Sequence, residues 1–524
     1  MILGRLPRIE HVWVALLLAS VAAAAGLLPL APWDLWWHAA VGREIIATGT
    51  IPTSDHFSYT AAGQPYHYQN WLGEIVLYAV LRLKGPAGAV WLRMAVLLAL
   101  FKTLLWVSFQ ASEGRLRLAV AATGVAAVGS ATNWAVRPQL LSLVLFVAEL
   151  ALLWRWRSAV TCTTALDSPT SVFRAADSTA RGPLAKGVSL WPLPLILAAW
   201  ANVHGAFILG LALPALLWAG ELLQQRRLTP ALRQLAGWSA LAALATLLNP
   251  RGLAIVPTVI GLMADSSVRA FASEWRAPTL GTTDGRLFFA CLAGSAALFV
   301  WRWRSLRISD WLWWLGFAAL ATTAIRHVIW FFLLLAPLLA RALAGFALQG
   351  GRTVAGRSNE ARGQWQSPGR WAGWVNAGLI AALALLALVA TPPFKDRLPL
   401  PAALRGLVTT DTPIAAVQVL EQRLPRHLFH DMGHGSYLIW RWHGTPPVFI
   451  DPRFELYPFD HWNDYGTVIA ARPGWQAILD RWEVETLLLD RGRQAPLVDA
   501  ALAAGWQERW GDDATIILDR EAGR

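Results

Sequence analysis

The chain has 524 residues, 56% of them hydrophobic and 15% charged, with a mean hydropathy of +0.42 and a formal net charge of +12. A soluble domain carries roughly 25% charged residues, so this composition excludes a protein that covers itself with charge, and it calls for a lipid bilayer. The basic residues fall in short clusters between apolar runs rather than on one face, which excludes nucleic acid as a partner.

A membrane-spanning helix needs about 20 mostly apolar residues. The candidates, in chain order, are 11–31, 87–110, 118–134, 139–155, 189–203, 206–224, 234–249, 285–301, 309–326, 328–346 and 372–390. The first reads as an uncleaved anchor, since no clear small-residue cleavage site follows it. Trp71–Leu83 is apolar but short, and it carries Glu74 and Arg82, so it is expected to lie along the membrane surface. The 31 tryptophans suit interfacial belts. Cys162 and Cys291 suggest neither a disulfide nor a zinc site.

Topology follows from arginine. With Arg5 and Arg8 in the cytoplasm, every later basic cluster also falls inside: Arg115 and Arg117; Arg155 to Lys186; Arg226, Arg227 and Arg233; Arg302, Arg304 and Arg307; Arg352 to Arg370. The segments 158–188 and 347–371 read as connecting loops without chemistry. The opposite side collects a different set of residues. It holds Asp34, His38 and Asp55; Arg137 and Gln139; Asn202 and His204; Asn249 and Arg251; Glu274; and Arg326 and His327. Polar groups gathered on one face suggest a site there. The competing reading is that each merely reaches for the headgroups from a helix end.

After Pro392 the apolar runs shorten to strand length, at 427–430, 448–450, 486–489 and 515–518. Helical patterns near 413–423, 460–471, 473–482 and 496–504 separate them. This alternation predicts a small soluble α/β domain over 393–524, following a membrane domain over 1–392 whose first outer loop is 32–86. Eleven spans starting inside put that C-terminal domain outside.

Asp34 and His38 are four residues apart, so on a helix they share a face. A carboxylate beside an imidazole suits general-base work or cation binding; an Asp that caps the following helix is the plainer alternative. In the C-terminal region, His430-Asp431-Met432-Gly433-His434-Gly435 precedes Phe449-Ile450-Asp451-Pro452-Arg453. His434, Asp451 and Arg453 are binding candidates because strand ends of α/β domains carry ligand sites. Turn chemistry at Gly433, Gly435 and Asp451-Pro452 competes with that, as does a zinc site from His430, Asp431 and His434.

The first outer loop, with Asp34-Leu35-Trp36-Trp37-His38, Asp55-His56-Phe57-Ser58-Tyr59-Thr60, Gly63-Gln64-Pro65 and Trp71-Leu72 before Lys84-Gly85 and Arg93, resembles that of GT-C membrane glycosyltransferases. The similarity is to the bacterial dolichyl-phosphate-mannose-protein-mannosyltransferase-like branch and extends to Arg137-Pro138-Gln139, Asn202-Val203-His204-Gly205 and Phe449–Arg453. The C-terminal stretch is similar in outline to oligosaccharyltransferase catalytic subunits, without their Trp-Trp-Asp core. The resemblance implies a GT-C-like polytopic fold in a bacterial inner membrane. It also implies transfer of a sugar from a polyprenyl-phosphate donor to a glycan, lipid or protein acceptor of the envelope, on the periplasmic side. Asp34 matches the family aspartate that activates the acceptor or holds a metal, with Asp55 second. The family often has Asp-Glu where Asp34-Leu35 stands, and Arg137 replaces a second acidic pair, which argues against a divalent metal; no other cofactor is implied. Arg137, Arg251, Arg326 and His327, with His204 nearby, would bind the donor phosphate. A transporter of lipid-linked sugar and a non-catalytic envelope assembly factor are the alternatives from other classes.

Overall fold

The computed structural model describes residues 6–166, 188–350 and 369–520. The basic residues read at Arg5, Arg174, Arg181, Lys186, Arg352, Arg357 and Arg362 lie outside the described residues, as does most of both long basic loops. In chain order the first helices are α1 (Ile9–Leu27), α2 (Asp34–Thr48), α3 (Trp71–Ala111), α4 (Leu116–Ser130), α5 (Pro138–Leu166), α6 (Pro192–Val203) and α7 (Phe207–Gln225). They are followed by α8 (Pro230–Ala245), α9 (Ile255–Ala264), α10 (Ser266–Phe271), α11 (Thr283–Trp301), α12 (Ile308–Thr323), α13 (Val328–Gly350) and α14 (Arg370–Val389). Each apolar run read as a span is one of these helices or, for 87–110, a leg of α3. Among the described residues 7 helices are long and apolar enough to cross a membrane, while α4, α6, α8 and α12 are shorter. The chain is a multi-pass membrane protein. The apolar helix α9 lies within a stretch that the sequence presents as an outer loop.

Helix α3 is two legs. Gly85 sits at φ 57°, ψ −152°, a conformation open to glycine, and Pro86 follows without an N–H to continue the helix. The chain doubles back there, with Gly88 packed on the Val80 carbonyl. The segment expected to stand apart from the span is therefore the first leg, Trp71 to Lys84. That leg crosses α2 with backbones in contact: a Cβ at Gly42 would collide with the Glu74 carbonyl. Gly42 lies one turn beyond His38, on the same face of α2.

Ion pairs tie the helices together at the end that carries the arginine clusters. Asp310 on α12 takes Arg157 of α5 at 2.6 Å and Arg341 of α13 at 2.7 Å, and Arg307 pairs with Glu221 of α7. The Arg157 guanidinium lies 4.2 Å from the Trp154 ring. Asp310 is completely buried and held by two guanidiniums, so the cluster acts as a fastener.

The C-terminal region contains α15 (Pro392–Lys395), α16 (Ile414–Leu420), β1 (Leu428–His430), α17 (Met432–Arg441), α18 (Phe459–Ile469), α19 (Trp475–Arg481), β2 (Thr486–Asp490), α20 (Ala495–Ala503), β3 (Gln507–Gly511) and β4 (Thr515–Asp519). The sheet order is β1-β2-β4-β3, with β1 parallel to β2 and the other pairs antiparallel.

Two expectations fail here for identifiable reasons. Val448–Ile450 is not a strand of this sheet, because its backbone pairs elsewhere. Val448 donates to the Phe57 carbonyl at 2.8 Å and accepts from Tyr59 N–H at 3.0 Å, so it bridges to the first loop. The sheet instead takes β3, a polar edge strand whose pattern does not alternate. Gly433 and Gly435 do not make a tight bend. They lie inside α17, whose first turn is capped by Asp431 through the Gly433 N–H at 2.8 Å. Gly435 is where α17 lies against the Ile450 carbonyl.

The first loop and the C-terminal region interlock. Ser436 accepts the Trp37 N–H at 3.0 Å and donates to the Trp33 carbonyl. Leu30 exchanges backbone hydrogen bonds with Leu407 and Thr409 at 2.8 and 2.9 Å. Arg453, with none of its side chain exposed, joins Asp451 at 2.6 Å, Asp55 at 2.7 Å and the Tyr68 hydroxyl at 3.0 Å.

Candidate functional site

One cavity of about 990 Å³ opens beneath this interlocked cap, at the end of the bundle opposite the arginine fasteners. Its wall is assembled from helix ends far apart in sequence. Asp34 and His38 come from α2, Glu74 from α3, Arg137 and Gln139 from the start of α5, and His204 from the α6–α7 turn. Arg251 follows α8, Glu274 follows α10, and Arg326 and His327 precede α13; Arg453 enters from the C-terminal region.

Asp34 stands at the first position of α2 and makes no capping hydrogen bond. Its Oδ2 instead accepts from Arg137 at 3.1 Å. Arg137 also reaches Glu274 at 2.8 Å, and Glu274 takes Arg326 at 3.1 Å. Two carboxylates and two guanidiniums thus form one chain of charge across the wall. Burial raises the Asp34 pKa, and Arg137 opposes that shift. Burial acts on Glu274 in the same sense, but Arg137 and Arg326 outweigh it and bring its pKa down to about 2. Arg326 lies 4.5 Å from the Trp275 ring, which fixes its plane. His327 meets the Thr323 hydroxyl at 2.9 Å.

His38 does not pair with Asp34. Its Nδ1 meets Glu74 Oε1 at 2.9 Å, and its ring stacks on Trp37 with centroids 3.6 Å apart. Glu74 is the residue the sequence reading placed without giving it a role. A lone carboxylate in an apolar run is the available signal, and in sequence it argues only for a helix at the membrane surface.

Arg251 differs from Arg137, Arg326 and Arg453. Among the described residues no carboxylate lies within ion-pair distance of it, and its buried Nε has no partner. His204 accepts the Ala206 N–H on Nδ1 at 3.1 Å, which leaves its proton on Nε2 as a donor. Burial, with Arg326 and Arg137 nearby, holds the His204 pKa well below its usual value, so the ring is neutral at neutral pH. The Gln139 Oε1 and Gln69 Nε2 are buried in the same wall without partners.

Other residues singled out from sequence lie outside this wall. Asp55 accepts from Phe57 N–H, Ser58 N–H and the Ser58 hydroxyl, and pairs with Arg453. All of these hold the loop, and none faces the cavity. Asn202 accepts from Trp71 Nε1 and donates to the Ala198 and Leu248 carbonyls, each at 2.8 Å. Asn249 closes its own turn with Arg251 N–H at 2.8 Å. Asp451 is enclosed by Arg453 and the Tyr457 hydroxyl. His434 Nε2 meets the Asp411 carbonyl at 3.0 Å. The zinc alternative fails on geometry: His430 uses Nδ1 on the Asp431 carbonyl and Nε2 on Phe449 N–H, leaving no lone pair for a metal.

No family model and no curated protein sequence matches this chain. Solved structures do. The oligosaccharyltransferase of Archaeoglobus fulgidus in its apo form superposes with a TM-score of 0.55 at 12% identity, over 98% of this chain and 74% of that one. The same archaeal enzyme, AglB, in complex with an inhibitory peptide and dolichol-phosphate gives 0.53 at 11% identity, over 97% and 74%. ArnT from Cupriavidus metallidurans bound to undecaprenyl phosphate gives 0.50 at 16% identity, over 97% of both chains. Identities this low speak to fold alone, and the fold is like that of the GT-C membrane glycosyltransferases.

Proposed function

We propose that this protein transfers a sugar from a polyprenyl-phosphate donor to a hydroxyl-bearing envelope acceptor, on the periplasmic face of a bacterial inner membrane. The observation that carries the reading is the convergence of Asp34, Arg137, Glu274, Arg326, His204 and Arg251 on one cavity at one end of the helix bundle. Solved proteins of similar fold support it, because they hold undecaprenyl phosphate and dolichol-phosphate. A polyprenyl monophosphate needs cationic donors rather than a metal that grips a diphosphate. Arg251 and the His204 Nε2–H supply them without a competing carboxylate. Arg137 and Arg326 are already matched by Asp34 and Glu274, so they shape the wall and lend a share of their charge. Asp34 faces the acceptor and stabilises positive charge that develops at the anomeric carbon.

The test is reconstitution in proteoliposomes with a polyprenyl-phosphate sugar, following donor consumption. Arg251→Ala is expected to raise the donor KM by roughly 10- to 100-fold, since a hydrogen bond to a charged group contributes about 1.5–3 kcal/mol. Asp34→Asn is expected to lower kcat while donor binding and melting behaviour persist. Transbilayer movement of the donor with no consumption by the unaltered protein would make it a transporter instead.

A further inference from the structure

We infer that His38 and Glu74 form a base–orienter dyad in which His38 Nε2 takes the proton of the acceptor hydroxyl and Glu74 is its positioning residue. The inference rests on the transferase reading and assigns the proton within it. It moves the expected base role from Asp34, whose Oδ2 is engaged by Arg137 at 3.1 Å, to a histidine whose second ring nitrogen has no partner among the described residues.

The dyad is built by the fold. The first leg of α3 and helix α2 can cross at backbone distance because Gly42 has no side chain to meet the Glu74 carbonyl. His38, one turn earlier on α2, is thereby brought to Glu74, with Nδ1 2.9 Å from Oε1. Only 7% of the His38 side chain and 1% of the Glu74 side chain is exposed, and both residues line the cavity. Trp37 stacks on the imidazole and fixes its plane. A carboxylate at Nδ1 selects the tautomer with the proton on that nitrogen, so Nε2 keeps its lone pair. Among the described residues nothing hydrogen-bonds Nε2, and the buried Glu74 Oε2 also has no partner. The unspent acceptor, His38 Nε2, therefore belongs to the wall where a hydroxyl would lie.

Charge around the ring sets its titration. Burial lowers the His38 pKa, Glu74 opposes that, and Arg137 and Arg453 add to the lowering; His204 faces it as a neutral ring. The imidazole is thus neutral and ready to accept at neutral pH. In the reaction the acceptor oxygen bonds to the anomeric carbon while that carbon's bond to the phosphate oxygen breaks. The bonding pair leaves on the polyprenyl phosphate, and the hydroxyl proton passes to Nε2. The imidazolium, held against Glu74, then releases the proton to solvent or to the leaving phosphate.

The experiment uses the full-length protein in proteoliposomes with a polyprenyl-phosphate sugar and its acceptor, together with 15N spectra of histidine-labelled protein. His38→Gln is expected to lower kcat by about 10²- to 10⁴-fold with little change in donor KM. Glu74→Gln keeps shape and removes charge. The neutral ring is the active form, so activity falls as pH drops through the His38 pKa. Without Glu74 that pKa falls further, and the acid limb of the kcat profile is expected to move to lower pH while the plateau declines. A purely structural Glu74 would leave the limb in place. Wild-type turnover in His38→Gln, or an unmoved limb in folded Glu74→Gln, overturns the dyad and leaves the transferase reading intact. A resting His38 with its proton on Nε2 overturns the dyad whatever the activity. Absence of donor consumption by the unaltered protein overturns the transferase reading itself.

Discussion

At the scale of residues, similar motifs take different parts. Asp34 and Asp55 both belong to the first loop, yet one faces the cavity and the other is spent on Arg453. The Arg453 guanidinium is completely buried, and Asp451 and Asp55 hold its pKa far above the ordinary value against the effect of burial. Removing one member of a buried ion pair typically costs about 3–5 kcal/mol, because the partner is left charged in a dry site. Arg453→Ala is therefore expected to lower the melting temperature sharply, since it strands two carboxylates. Asp55→Asn is expected to destabilise by only about 1–3 kcal/mol, with turnover per folded molecule preserved. Thermal melts in detergent alongside single-site activity check both. A large loss of kcat in well-folded Asp55→Asn would return Asp55 to the chemistry.

At the scale of elements, the site depends on close crossings between helices. The first leg of α3 turns back at Gly85 and meets α2 at Gly42, and this crossing sets the distance between His38 and Glu74. A side chain at Gly42 has no flexible neighbour to displace, since the obstacle is backbone. Gly42→Val is expected to cost about 1–3 kcal/mol as overpacking and to reduce activity by separating the dyad. Gly378 on α14 is the control, because nothing stands within 4 Å of a Cβ there. Gly378→Ala should melt and turn over like the unaltered protein. If Gly42→Val does the same, the crossing is looser than the structure indicates.

At the scale of the whole molecule, the ion-paired arginines Arg157, Arg307 and Arg341 and the cavity occupy opposite ends of the helix bundle. The C-terminal region caps the cavity end through Ser436, Val448 and Arg453. With the N-terminus inside, the cap is expected outside. Alkaline phosphatase fused after Arg524 should be active, and a reporter that fluoresces only in the cytoplasm should stay dark at the same point. The reverse pattern would put the cavity on the cytoplasmic side and remove the proposed periplasmic reaction.

The sequence by itself determined the elements whose physics is local. Long apolar runs have no stable place outside lipid, so every predicted span is a helix. Arginine clusters and polar helix ends alternate along the chain, and that alternation sorted the polar residues to one side before any coordinates. Tertiary structure alone decided the pairings. Nothing near Asp34 in sequence points to Arg137, 103 residues away, and nothing near His38 points to Glu74, 36 away. The four-residue spacing of Asp34 and His38 suggests that they act together, but the crossing of α2 and α3 gives His38 to Glu74, while the turn before α5 brings Arg137 to Asp34. Val448–Ile450 reads as a strand because it is apolar and short. Its backbone pairs with the first loop because the C-terminal region packs there, and propensity carries no information about which edge a segment will meet. Lipid and local hydrogen bonding dictate the elements, whereas long-range packing dictates which side chains face one another.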